Sequence, residues 1–66
     1  MTTPEERTYA VLQTREFLTA LANTRHISGV SEDIREYAIT LLRHYPDAGD
    51  MSIAGRACPN WFSAPY

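Results

Sequence analysis

Between Pro4 and Gly29 the sequence contains neither proline nor glycine. An unbroken stretch of that length, with no alternating strand pattern, constrains the chain to begin with a long helix. Its start is written in the segment MTTPEER. Thr3 can cap, Pro4 brings a fixed φ and no wasted N–H to the first helical position, and Glu6 completes a Thr-x-x-Glu capping box. Glu5 and Glu6 also suit the positive end of the helix dipole. The helix is expected to run from Pro4 to about Asn23 or Thr24, roughly 30 Å.

Helical spacing gathers Ala10, Val11, Thr14, Phe17, Leu18, Leu21 and Ala22 into one stripe, about 140° wide and expected to face inward. Thr8 falls outside it, as do the apolar residues Tyr9, Leu12 and Ala20. Arg25 to Val30 read as a loop, with Gly29 lending backbone freedom. Ser31 caps a second helix, expected over about 31–45 and stopped by Pro46. Its inward stripe is Ile34, Tyr37, Ala38, Leu41, Leu42 and Tyr45, with Ile39 left over. Pro46 to Gly49 read as a turn. Asp50 is the expected cap of a short third helix, about 50–57, with Met51, Ile53, Ala54 and Ala57 inward. The tail from Pro59 carries Trp61, Phe62 and Tyr66. That is too much apolar area to leave free, so it is expected to pack back. The fold class is therefore all-α: an antiparallel helical hairpin closed by a short third helix and an aromatic tail.

A chain of 66 residues has room for one domain, expected over 1–66, and one this small is marginal alone. The single cysteine, Cys58, rules out a disulfide within one chain. Good packing or self-association then remains as the source of extra stability. Hydrophobic residues at 44% and charged residues at 21% describe a globular composition. The net charge of -2 argues against nucleic acid as a partner. No apolar run approaches a membrane span and no apolar signal core follows Met1, so a cytoplasmic location is expected.

Chemistry is harder to find. Nothing near Cys58 in sequence activates it, and the expectation is a small buried or half-buried thiol. His26 and His44 have no partner at ligand spacing, so neither a metal nor another cofactor is expected. The pairs Glu5–Glu6 and Glu32–Asp33 are explained by helix starts, Asp47 and Asp50 by turn and cap duties. No phosphate-cradling glycine loop exists. The protein is not expected to be an enzyme.

The segments MTTPEERTYA, TREFL and IREYAITLLRHYP resemble a family of short proteobacterial proteins to which no activity is attached. The likeness runs through Met51 and includes Arg7, Arg15, Arg43 and His44. It implies a bacterial, cytoplasmic protein and no mechanism.

Two functions follow as expectations. The first is a non-enzymatic module that binds a protein partner or itself. Its candidate interface is Tyr9, Leu12, Ile39, Trp61, Phe62 and Tyr66, because these apolar residues lie off the packed stripes or in the tail. The alternative is a small DNA-binding regulator, with the second and third helices imitating a helix-turn-helix. Only Ser52 and Arg56 would then read bases, which is few.

Overall fold

A computed structural model of the chain describes residues 2–23 and 29–65. Three helices follow in order, α1 (Pro4–Ala22), α2 (Glu32–Leu42) and α3 (Ala48–Ala57), with no strand among the described residues. Two compact units divide them. One comprises Met1–Gln13 with Pro46–Tyr66, the other Thr14–Tyr45. Helix α1 thus gives its first part to one unit and its remainder to the other.

Each helix start has a side-chain reason. The Thr3 N–H donates to Glu6 Oε1 at 3.0 Å, and the Glu6 N–H donates to Thr3 Oγ1 at 3.2 Å. This is the reciprocal capping box that Thr-x-x-Glu predicts. Ser31 Oγ accepts from the Ile34 N–H at 3.3 Å and caps α2. At α3 the expected cap moves. Asp47, not Asp50, is the N-cap, and Asp50 closes a second capping box three residues on, at 2.9 and 3.0 Å. An Asp-x-x-Asp spacing satisfies two backbone donors where a lone Asp50 cap would satisfy one, so the helix begins earlier and takes in Gly49.

Helix ends are tighter than expected. Helix α2 stops at Leu42, and the His44 and Tyr45 N–H groups bond to Leu41 and Leu42 carbonyls three residues back. Pro46 bars helical geometry at Tyr45, and the last turn narrows to the shorter spacing. Helix α1 ends at Ala22, with the Asn23 N–H still donating to the Thr19 carbonyl at 3.0 Å.

In the Thr14–Tyr45 unit, the end of α1 packs against α2 as an antiparallel hairpin. Leu18 and Ala38 are its buried seam, with Leu21, Ala22, Ile39, Leu42 and Tyr45 half-buried beside them. Here the stripes expected from sequence are corrected. Phe17, Ile34, Tyr37 and Leu41 point outward, between 40% and 66% exposed, and Ile39 is half-buried. A stripe some 140° wide is more than one neighbouring helix can cover. Contact settles on a narrow line through the small Ala38, and half of each stripe is left outside.

In the other unit the inward residues are Thr8, Met51 and Gly55. Met51 faces in as expected, but Ile53 and Ala57 are exposed. Gly55 decides which side of α3 is covered. A Cβ there would sit 2.5 Å from the Ser63 carbonyl carbon and would also strike the Ala64 nitrogen. The tail therefore crosses α3 directly over Gly55, where no larger residue fits. The tail packs back, as its aromatic content predicts.

Candidate interaction surfaces

The tail is held by two consecutive residues of α1. Arg7 donates from Nε to the Trp61 carbonyl at 2.7 Å and from Nη2 to the Asn60 carbonyl at 3.2 Å. Its Nη1 reaches the Thr2 carbonyl and hydroxyl at 2.9 and 3.0 Å. The guanidinium also lies over the Trp61 ring, 5.3 Å from its centroid, a cation–π distance. Thr8, only 3% exposed, bonds twice to the Ser63 backbone. Neither residue is apolar, so the hydrophobic pattern assigns them no inward role. The signal available in sequence was the pairing of an arginine with a tail rich in aromatics.

Tyr9 and Leu12 meet the tail from the same helix. Together with Glu5, Thr8, Ser63, Ala64 and Pro65 they line a cleft of about 260 Å³. Tyr9 is 66% exposed and Trp61 63%, while Leu12 and Phe62 are half-buried. Trp61 is thus no core residue, and the Arg7 guanidinium lies over its ring. Ile39 belongs to the other unit. Tyr66 lies outside the described residues, as does His26.

Cys58 is exposed rather than buried or half-buried. It is the C-cap of α3, its N–H bonded to the Ala54 carbonyl at 2.7 Å. Its own carbonyl accepts from the Trp61 and Phe62 N–H groups, both at 3.0 Å. A residue that turns the chain out of a helix is held by its backbone, and its side chain goes to the surface. Among the described residues, no three of His, Cys, Asp and Glu gather as metal ligands. No described helix is long and apolar enough to cross a membrane. A hollow of about 600 Å³ is lined by Thr2, Glu5, Glu6, Tyr9 and Ala10. On α3, Ser52 is half-buried and Arg56 exposed, which leaves one free polar reader on that helix.

The outer side of the hairpin carries a further apolar surface. At 100° per residue, Phe17 stands about 100° round α1 from the buried Leu18. On α2, Ile34, Leu41 and Tyr37 stand about 40°, 60° and 100° from the buried Ala38, in the same rotational sense. Because the two helices are antiparallel, equal senses of rotation bring both sets to one side. Phe17 at 58%, Ile34 at 51%, Tyr37 at 66% and Leu41 at 40% exposure present about 400 Å² there.

The chain matches no protein family, no curated protein and no solved structure. Function must therefore be read from these surfaces themselves.

Proposed function

We propose that the protein is a small, non-catalytic interaction module that associates with a protein surface through the outer side of its α1–α2 hairpin. One observation carries the reading. Four large apolar side chains, Phe17, Ile34, Tyr37 and Leu41, are 40% to 66% exposed and share one side of the hairpin. An apolar patch of about 400 Å² falls within the range of the largest patch on a typical soluble monomer, and such patches are often functional. Exposing it costs on the order of 10 kcal/mol relative to burial, at 25 cal/mol per Å². A partner that covers it regains much of that.

The polar contacts support a scaffold around this face. The three capping motifs and the Arg7–Thr8 clamp direct their polar side chains to backbone partners. The test is a double variant, Phe17→Ser with Ile34→Ser. Both positions are exposed, so helicity by circular dichroism is expected to hold. Binding of an apolar dye, and any association seen by sedimentation, are expected to fall together. If both survive the substitutions unchanged, the face is not the working surface.

A further inference from the structure

We infer that the occupant of this face is a second copy of the same chain, its α2 packed antiparallel on the first across a two-fold axis at Tyr37 and Ala38. The inference rests on the reading above and goes further by fixing partner, orientation and register.

Three observations carry it. The first is a near-palindrome along α2. Ile34, Tyr37 and Leu41 lie within about 60° of one another round the helix, Asp33 edges them on one flank, and His44 follows just beyond the helix end at Leu42. All five are exposed. Turning a second α2 end for end sets Ile34 of each copy against Leu41 of the other. Tyr37 then meets Tyr37 near the axis, and Asp33 lies beside His44 at both ends. The Asp33 carboxylate accepts and the His44 ring N–H donates, so the flanking polar groups complement each other twice. A two-fold interface demands this kind of self-complementarity.

The second observation is charge. Between Thr14 and Tyr45 the sequence has Arg15, Arg25, Arg35 and Arg43 against Glu16, Glu32, Asp33 and Glu36, which is four against four. The excess of -2 falls entirely on Glu5, Glu6, Asp47 and Asp50 against Arg7 and Arg56. Two copies meeting through this unit bring together segments of no net charge.

The third is area. Stable interfaces are about 60% apolar. One built on an apolar patch of about 400 Å² would take roughly 700 Å² from each copy, close to the ~800 Å² that a standard interface takes per partner. Four helices then enclose what two leave open, in the manner of a bundle made from paired hairpins.

The test combines sedimentation equilibrium with cysteine cross-linking. The wild-type chain is expected to be a dimer, and Tyr37→Asp to weaken association at least about 30-fold with helicity retained, since Tyr37 is exposed in the single chain. Cross-linking uses chains carrying Cys58→Ser. Tyr37→Cys is expected to form a disulfide with itself. Ile34→Cys is expected to pair with Leu41→Cys in a mixture and not with itself. Self-pairing of Ile34→Cys means parallel helices and overturns the inference, as does a dimer indifferent to Tyr37→Asp. A wild-type monomer overturns it too, and dye binding then separates the two readings. A monomer whose dye binding needs Phe17 and Ile34 keeps the docking face but not the second copy. A monomer without such binding loses both.

Discussion

The Thr8 hydroxyl donates to the Ser63 carbonyl at 2.9 Å and accepts from the Ser63 N–H at 3.0 Å. One buried side chain thus satisfies both backbone groups of one tail residue. Thr8→Val keeps the shape and leaves both Ser63 groups without their partner. The expected cost is about 2 kcal/mol. Thr8→Ser keeps the hydroxyl and is expected to cost less than half of that. Urea unfolding followed by Trp61 fluorescence measures both.

Two arginines of α1 make opposite predictions. Arg7 has bonds to Thr2, Asn60 and Trp61. Arg15 has a buried Nε with no hydrogen-bond partner among the described residues. Arg7→Met is expected to lower stability by about 1–2 kcal/mol and to shift the Trp61 emission. Arg15→Met keeps the packed stem and removes an unsatisfied donor. Its melting temperature is expected to match or exceed that of the wild type. A loss at Arg15 equal to that at Arg7 would contradict this.

Gly55 tests the fit of tail against helix. Alanine is the better helix former by about 1 kcal/mol in an open helix. At Gly55 its Cβ strikes the Ser63 and Ala64 backbone, so Gly55→Ala is expected to loosen the tail while helix content holds or rises. Limited proteolysis at the tail, read beside circular dichroism, checks this. A variant that is both more helical and equally protected would show that the tail yields without cost.

The first capping box has a pH signature. The Thr3 N–H, donating to the Glu6 carboxylate, holds that carboxyl below its ordinary value of 4.5, helped by the Thr3 side chain. A depressed folded-state value means the stabilisation is full above 4.5 and is lost as pH falls through the folded value. Unfolding midpoints between about pH 6 and pH 3 are expected to fall less steeply in Glu6→Gln than in the wild type.

The helices, the first two caps and the returning tail were legible because local chemistry decides them. Thr-Pro-Glu-Glu and Ser-Glu-Asp act over single turns, and Pro46 stops a helix wherever the chain goes. Which side of each helix faces inward was not legible in the same way. The stripe on α1 was centred near Leu18 and Thr14, but Thr8 is buried and Phe17 is not. A hydroxyl that binds backbone 55 residues away leaves no apolar signature, and a stripe too wide for one neighbour does not say which half is covered. The outer side of the hairpin carries the apolar signature of a core for that reason. The same wheel leaves Tyr9, Leu12 and Ile39 spare, and two of them are half-buried.

The clamp between Thr8 and Ser63 also orders events in time. Its partners are 55 residues apart, so closing it carries the entropy of a long loop, while the α1–α2 hairpin needs only neighbouring segments. During synthesis the hairpin's residues are all present before Ser63 has been made. The first turns of α1 wait with an unpaired hydroxyl at Thr8 until then. Sequence separation alone thus favours a hairpin that forms early and a clamp that closes late.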